Sequence, residues 1–307
     1  MVQTNSLMGK ILIICGATAT GKSDLAVQCA KLLNTEVISA DSLYVYKDLN
    51  IGTAKPTKNE MQGVKHHLID VAFPNENFTV SDYKKLAQPI VDKLLQQGKT
   101  PIICGGTGFY INSLLYDLSY GNSCENLEVR NKYKQLATEK GNLAVYQELV
   151  NVDPKSAEKL HFNDLKRVIR ALEIFYSGTK KSEICDDFTP KYEYIACAID
   201  YPREILYDRI NMRVDKMIDS GLIEEVKALL SSGITRENQC MQGIGYKEVF
   251  DYLDGKISRE ELAEVIKLNT RHYAKRQITF FKRLDGIKYL APMETRCLAD
   301  QIVKEFL

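Results

Sequence analysis

Residues whose types and spacing can bind a phosphate group form one short stretch: Gly16, Ala17, Thr18, Ala19, Thr20, Gly21, Lys22 and Ser23. The apolar run 10–15 before it is typical of a buried strand, and the apolar residues of 24–33 recur at helical spacing. A strand, the pattern G-x-x-x-x-G-K-S and a helix, in that order, predict a phosphate-binding loop. Backbone N–H groups and the helix N-terminus attract the anion, Lys22 reaches phosphate oxygens, and the Ser23 hydroxyl can hold Mg²⁺. The pattern does not assign the phosphate to ATP.

Two further polar segments follow predicted strands. Asp41 and Ser42 come after a strand predicted at 36–40, and Thr107 lies in the Gly-Gly-Thr-Gly segment after a strand predicted at 101–104. Ligands of open α/β sheets bind outside the carboxyl ends of the strands, so we expect Asp41 and Thr107 beside the phosphate loop. The glycines should let a ligand approach the backbone. The alternative for Asp41 is a cap on the following turn.

The alternation of strands and helices stops at about residue 117 and resumes near 191. The pattern predicts an α/β fold with a parallel sheet core built from 1–116 and 191–307, and an all-helical insertion at 117–190. In the insertion, three basic residues group within one turn beside an apolar helix face: Lys166, Arg167 and Arg170. They suit RNA phosphates, and a solvated helix face is the alternative.

Two further segments of the predicted core contain basic residues on predicted helices. Residues 203–230 predict a long helix, broken at Gly221, on which Arg209 and Arg213 share one face and either clamp a pyrophosphate or face solvent. Residues 259–283 predict a basic helix with interleaved aromatics that suits nucleic acid, although one of Phe280 and Phe281 should belong to the core.

Two predictions concern helix-breaking and metal-binding residue types. Pro89 should kink or split a helix that begins at Thr79 or Ser81. The adjacent His66 and His67 favour a structural role over metal binding, because only Asp70 lies near them as a further ligand.

Composition argues against a membrane-spanning protein, a strongly basic nucleic-acid-binding protein and a disulfide-rich secreted protein. The 307 residues are 45% hydrophobic and 26% charged, which is typical of a soluble globular protein, and no apolar run approaches the ~20 residues that span a membrane. The formal net charge of +1 means that a nucleic acid must be bound by local basic patches. Eight cysteines without a C-x-x-C pair, and no signal-peptide pattern, predict reduced thiols in a cytosolic protein.

Together these segments resemble the tRNA dimethylallyltransferase family, the bacterial isopentenyltransferases that act on tRNA. The matching stretches are GATATGKS, DSLYVY with NIGTAKP, GVKHHLID, ICGGTGFYI, RVIRALE, RVDKMIDSGLIEEV, QGIGYKE and NTRHYAKRQITFFKR. They extend from residue 16 to residue 283. Ala17 stands where the family often has proline, which affects loop stiffness and not the ligand groups. No C-terminal zinc finger is found, so the chain resembles the bacterial form.

The resemblance implies a P-loop kinase-like core and transfer of a dimethylallyl group from dimethylallyl diphosphate to N6 of an adenosine in tRNA. That adenosine lies 3′ of the anticodon, at position thirty-seven, and no ATP is hydrolysed. The implied catalytic residues are Asp41 as proton acceptor, Thr107 as an orienting group and Arg213 as a partner of the diphosphate, with Mg²⁺ at Ser23. We expect a cytoplasmic monomer that does not bind membranes.

The helical insertion is expected to grip the anticodon stem-loop. The full set of residues expected to bind tRNA comprises Asp41, Ser42, Leu43, Tyr44, Thr107, Arg130, Lys166, Arg167, Val168, Ile169, Arg170, Gln242, Gly245, Tyr246, Lys247, Arg271, Lys275 and Arg276.

Two other functions remain open from the sequence. A P-loop kinase acting on a nucleoside or another small substrate would need an adenine site and an arginine-rich lid, and the sequence assigns neither. A non-enzymatic RNA-binding protein would not need Asp41 and Thr107 to converge on the phosphate loop.

Overall fold

The computed structural model describes residues 9–118 and 126–306. The chain divides into two compact units, a core unit of residues up to Leu115 and from Pro190 onward, and a helical unit, Tyr116–Thr189. The predicted insertion began one residue later and ended one residue later than this helical unit. Within the described ranges, no helix is both long enough and apolar enough to cross a membrane.

The described part of the core unit contains a six-stranded sheet whose strands pair in parallel. The strands are β1 (Lys10–Cys15), β2 (Val37–Ser39), β3 (His66–His67), β4 (Ile102–Gly105), β5 (Glu193–Ile199) and β6 (Lys288–Leu290). Their spatial order is β3-β2-β4-β1-β5-β6. β1 is central, so its residues from Ile11 to Cys15 are fully buried. Strands of parallel sheets that are buried on both faces are continuously apolar. For this reason the apolar run before the phosphate loop could be predicted as a buried strand from the sequence.

The sheet register brings three strand ends together. Leu12 of β1 pairs with Ile102 of β4, and Ser39 of β2 pairs with Cys104 of β4. The segments that leave β1, β2 and β4 therefore start side by side at one edge. The expected convergence of the phosphate loop, Asp41 and Thr107 follows from this register.

Helices connect and cover the strands of the core unit. Before the helical unit they are α1 (Lys22–Leu32), α2 (Lys58–Met61), α3 (Val80–Gln96) and α4 (Gly108–Leu115). After it they are α9 (Arg203–Asp219), α10 (Leu222–Ser231), α11 (Tyr246–Leu253), α12 (Arg259–Phe281) and α13 (Thr295–Phe306). Three of these helices start at a Thr or Ser capping box, in which Thr57 pairs with Glu60, Thr79 with Asp82 and Ser258 with Glu261.

The structure gives different outcomes for the helix interruptions predicted at Pro89 and at Gly221. α3 is one helix with Pro89 inside it, so the expectation of a split is wrong. Five buried residues along α3, Tyr83 to Leu95, anchor both sides of the proline, and packing of this kind outweighs a missing hydrogen bond. The predicted break at Gly221 is confirmed: this glycine has φ 102° and separates α9 from α10.

The helical unit contains α5 (Leu127–Lys140), α6 (Asn142–Val152), α7 (Pro154–Ala157) and α8 (Leu165–Tyr176), followed by a 3₁₀ turn (Lys181–Glu183). Its described residues form no strand beyond a single bridge between Asp117 and Asp187. Its own core joins Tyr133 of α5, Leu149 of α6 and Leu172 of α8, all fully or almost fully buried. A helical domain without a sheet was therefore correctly predicted for the described residues.

Candidate active site

The phosphate loop joins β1 to α1 with the geometry that its glycines allow. Gly16 and Gly21 have φ of 123° and 86°, the left-handed region that side chains disfavour. Gly21 is the N-cap of α1 and provides no capping side chain. The first backbone N–H groups of α1 are consequently left for a ligand, and the positive end of the helix dipole favours an anion there.

Lys22 lies at the first position of α1, and its Nζ donates a 3.1 Å hydrogen bond to the carbonyl oxygen of Ala17 within the loop. Burial lowers the pKa of Lys22, while the carboxylate of Asp41 acts in the opposite direction. Burial also raises the pKa of the Cys104 thiol to about 12. Cys104 therefore stays protonated. The seven described cysteines are not bonded to one another.

Asp41 and Thr107 lie on adjoining strand ends and are linked through one residue. The Thr107 Oγ1 accepts a 3.0 Å hydrogen bond from the backbone N–H of Ser42, and the Thr107 N–H donates to the carbonyl of Ala40. The Asp41 Oδ1 accepts from the N–H of Leu43 at 3.0 Å, the Asx-turn contact that the capping alternative anticipated. Only one Asp41 oxygen is used in this way within the described ranges, so the carboxylate both shapes its turn and remains available to a ligand.

The three glycines around Thr107 make room for protein atoms and not for a ligand. A Cβ on Gly105 would lie 2.1 Å from the carbonyl oxygen of Ala40, and one on Gly106 would lie 2.1 Å from Nε2 of Gln277. A Cβ on Gly108 would meet the ring of Phe280 at the same distance. The expectation that these glycines admit a ligand to the backbone is corrected: they admit a neighbouring strand end and helix α12.

Two arginines of α9 face the loop, as one of the sequence alternatives proposed. Arg209 Nε donates to the carbonyl of Ala19 at 2.8 Å, and Arg213 Nη2 donates to the carbonyl of Thr53 at 2.9 Å. Both partners are neutral, so both guanidinium charges remain uncompensated by these bonds. Arg213 also lies within hydrogen-bonding reach of the Tyr44 hydroxyl. This arrangement supports anion binding beside the phosphate loop.

Helix α12 contributes two residues that sequence reasoning missed. Buried Gln277 accepts from the Thr18 N–H at 2.9 Å and donates to the Gly106 carbonyl at 3.0 Å, which ties the phosphate loop to the end of β4. Tyr273 lies one turn earlier, and burial together with the Asp41 charge raises its pKa to about 12. The available signal was the helical spacing of Ile266, Thr270, Tyr273 and Gln277, which form one face of α12 in contact with the cavity.

These groups surround one cavity of about 1020 Å³ in the core unit. Thirteen predicted site residues line it: Thr18, Ala19, Gly21, Lys22, Ser23, Asp41, Ser42, Leu43, Tyr44, Arg213, Gln242, Lys247 and Arg276. Thr107 does not line it, but positions the turn that carries Asp41. Gly16, Ala17 and Thr20 belong to the loop without facing the cavity, and Thr20 Oγ1 donates to the Ala17 carbonyl.

Four residues expected to bind tRNA are buried within the protein. Val168 and Ile169 lie in the core of the helical unit. Tyr246 is fully buried, and the N–H of buried Gly245 donates to Glu248 Oε2. The prediction that these residues contact RNA is wrong, because their apolar periodicity and glycine conformation serve packing and the start of α11.

The other predicted RNA contacts separate into two groups. Arg130 and Arg170 both donate to Glu173, whose side chain is fully buried in the helical unit. Burial alone would raise the pKa of Glu173, but hydrogen bonds from Arg130, the Asn126 N–H and Arg170 outweigh it and lower the pKa. By contrast, a second group has exposed side chains or lies at the surface of α11 and α12: Lys166, Arg167, Lys247, Lys275 and Arg276. Arg271 is half-buried and donates to Asn211.

The histidines have the expected structural contacts. His66 Nδ1 contacts the Val64 carbonyl, and His67 Nε2 contacts Glu36. No group of three or more His, Cys, Asp or Glu residues in the described ranges could hold a metal ion. Mg²⁺ bound to a diphosphate needs only one or two protein oxygens, because phosphate oxygens and waters complete its octahedron. The Ser23 hydroxyl at the cavity wall fits that donor set.

The chain matches known proteins over most of its length. The sequence model described as IPP transferase matches residues 44–284. A tRNA dimethylallyltransferase of Acetivibrio thermocellus is 46% identical over 288 residues, which cover 92% of both chains. A tRNA dimethylallyltransferase of Clostridioides difficile is 46% identical over 281 residues, covering 91% of this chain and 90% of the relative.

Solved structures agree with the sequence comparisons. A full-length tRNA isopentenylpyrophosphate transferase of Bacillus halodurans has a TM-score of 0.71 at 38% identity, with 96% of both chains covered. A eukaryotic dimethylallyltransferase acting on tRNA has a TM-score of 0.79 at 30% identity, covering 97% of this chain and 76% of that one. The family model spans more than half of the chain and the relatives are 46% identical over about nine-tenths of it, and this chain therefore belongs to the IPP transferase family.

Proposed function

We propose that this protein transfers the dimethylallyl group of dimethylallyl diphosphate to N6 of an adenosine in tRNA, the one 3′-adjacent to the anticodon at position thirty-seven. The observation that carries the proposal is the shared cavity, onto which a phosphate loop and the carboxylate of Asp41 both face. Relatives that are 46% identical are named tRNA dimethylallyltransferases, which supports the same substrates here. The predicted kinase alternative has no comparable support.

The reaction needs a proton acceptor and a stabilised leaving group. The adenine N6 attacks the allylic carbon that carries the diphosphate oxygen, the new C–N bond forms, and the C–O bond breaks with its electrons leaving on the diphosphate. The N6 proton goes to Asp41, which acts as general base. Thr107 acts indirectly, since its bond to the Ser42 N–H holds the turn on which Asp41 lies.

Several groups at the cavity can neutralise charge on the departing diphosphate. They are the N–H groups at the start of α1, Lys22, Arg209 next to the loop, and Arg213 at the Thr53 carbonyl. Groups aimed in advance at developing charge lower the barrier because they need no reorganisation during the reaction. The Ser23 hydroxyl would hold Mg²⁺, which supplies further neutralisation of the diphosphate when bound.

The adenine must leave the stacked anticodon loop to reach Asp41. Single-stranded loop bases can be splayed outward at low cost, and a cavity of about 1020 Å³ has room for a base beside a small diphosphate. Lys247, Lys275 and Arg276, with exposed side chains in the core unit, suit the RNA phosphates near the cavity. Lys166 and Arg167 of the helical unit suit the anticodon stem-loop. We propose that the protein acts as a monomer in the cytoplasm.

A labelled-prenyl transfer assay with bulk tRNA, run beside an ATPase assay, tests the function. We expect label in tRNA, release of diphosphate and no ATP hydrolysis above background. A transcript with guanosine in place of the target adenosine is the matched control and should accept no label. Phosphoryl transfer from ATP without prenyl transfer would contradict the proposal and favour the kinase.

A further inference from the structure

Glu225 on α10 lies outside the cavity wall yet contacts three consecutive backbone groups of another segment. Its Oε2 accepts from the N–H groups of Asn50 and Ile51 at 2.9 and 2.8 Å. Its Oε1 accepts from the Gly52 N–H at 3.1 Å and from the Tyr246 hydroxyl at 2.6 Å. Four donors converge on one carboxylate, which makes it a strong charge-assisted anchor.

The anchored segment is the turn 49–55, defined here as the Arg213 turn. Inside it, the Lys55 N–H donates to the Asn50 carbonyl and the Thr53 hydroxyl donates to the Leu49 carbonyl. Gly52 is required beneath the Tyr246 ring, because a Cβ there would lie 2.6 Å from Cζ of Tyr246. The turn is thus shaped from outside by Glu225 and Tyr246 as well as by its own hydrogen bonds.

The opposite side of the Arg213 turn contacts the cavity arginine. The Thr53 carbonyl accepts from Arg213, and the neighbouring Ala54 carbonyl accepts from the Tyr44 hydroxyl at 3.0 Å. Glu225 and Arg213 are therefore connected through the same few peptide units. A shift of this turn moves the acceptor that holds the guanidinium.

We propose that Glu225, supported by Tyr246, is a positioning residue that sets the place of Arg213 for the diphosphate leaving group. The inference rests on the proposed function. It also gives Gly52, Glu225 and Tyr246, which touch no proposed substrate, one shared task. A displacement of about 1 Å at a reacting centre can cost ~100-fold in rate, so a residue that touches no substrate can still limit transfer.

Glu225→Gln is the sharpest variant, because either amide orientation turns an NH₂ group toward at least one backbone N–H that needs an acceptor. We expect single-turnover transfer to fall by up to ~100-fold, with tRNA affinity unchanged. Tyr246→Phe removes one donor and should lower the rate less, in the same direction. Glu224→Gln, on the neighbouring exposed position of α10, is the matched control and should keep the parental rate.

The decisive measurement is a double-mutant cycle of Glu225→Gln with Arg213→Ala. If Glu225 acts through Arg213, it should change the rate by less than about twofold once Arg213 is absent, whereas independent residues would add. Additive losses, or a parental rate in Glu225→Gln, would overturn the inference. Should Glu225→Gln fail to fold, the same cycle with Tyr246→Phe decides it.

Two readouts separate this inference from the reaction itself. Affinity for inorganic diphosphate, measured in the same four proteins without tRNA, should show the same non-additivity. Amide hydrogen exchange of residues 50–52 should rise in Glu225→Gln and not in Glu224→Gln; unchanged exchange would contradict the anchor. If diphosphate binding shows this coupling across the four proteins but the parent transfers no prenyl group, only the proposed function is contradicted.

Discussion

Each unit of this protein contains a carboxylate among basic residues, and the two carboxylates have opposite environments. In the helical unit, Glu173 is fully buried and accepts from Arg130, Arg170 and the Asn126 N–H. In the core unit, Asp41 lines the cavity and, within the described ranges, accepts only from the Leu43 N–H.

The basic residues differ in the same way. Arg130 and Arg170 pair with a negative charge, while Arg209 and Arg213 donate to neutral carbonyls and keep their charge for a ligand. A saturated carboxylate stabilises the fold, and an unsaturated one can accept a proton. The type of partner, and not the number of arginines, distinguishes the structural site from the candidate active site.

The largest effect is expected at the unsaturated carboxylate. Asp41→Asn removes the proton acceptor with little change in shape, so single-turnover prenyl transfer should fall by ~100- to 10,000-fold. Binding of tRNA and of dimethylallyl diphosphate, measured separately, should remain close to that of the parent. Asp48→Asn is the matched control, since Asp48 is exposed and its φ of 64° suits asparagine equally well. Parental transfer by Asp41→Asn would remove Asp41 from its assigned role.

Breaking the saturated site should cost stability instead. Arg130→Ala leaves buried Glu173 with one guanidinium, and removing one partner of such a pair destabilises by roughly 3 kcal/mol. Urea unfolding should show this decrease, while affinity for dimethylallyl diphosphate should be unaffected. Arg167→Ala, whose exposed side chain pairs with Asp164, should change stability by less than about 0.5 kcal/mol. Equal effects of the two variants would erase the distinction between the sites.

Lys22 provides a test through pH. Because burial lowers the pKa of Lys22, this ammonium loses its proton at a lower pH than an exposed lysine does. Affinity of the free protein for dimethylallyl diphosphate should therefore decline with rising pH, and at a lower pH than an exposed lysine would cause. Lys22→Ala should bind ~10- to 100-fold more weakly at neutral pH, the range for a hydrogen bond to a charged group. It should also lose this part of the pH dependence; an identical pH profile in the variant would count against Lys22 as the diphosphate ligand.

The smallest effect is expected from the exposed cations of the helical unit. The double change Lys166→Ala with Arg167→Ala should weaken tRNA binding and flatten its salt dependence, by a little under ~1 in slope for each RNA phosphate that the variant no longer neutralises. Affinity for dimethylallyl diphosphate should not change. We leave Arg170 intact because its bond to Glu173 would confound binding with stability. An unchanged salt slope would mean that Lys166 and Arg167 are a solvated face.

The sequence by itself determined the phosphate loop, the strand after which Asp41 lies, the break at Gly221 and the helical nature of the described insertion. These features depend on neighbours along the chain: glycine spacing, apolar periodicity and caps such as Thr79. Periodicity also indicated that Val168 and Ile169 form an apolar helix face, whereas the family resemblance included them, with Tyr246, among the RNA-binding residues.

Only the tertiary structure decided the partners. Gln277 binds the phosphate loop across 259 residues, and Glu225 reaches the Asn50 N–H across 175 residues. No local spacing encodes such contacts, since they arise when the sheet register and helix packing bring distant segments together. The same holds for Glu173, whose burial separates Arg130 and Arg170 from otherwise similar basic residues. Charge and hydrogen-bonding capacity belong to the residue type, but whether they are already satisfied depends on what the fold places within about 3 Å.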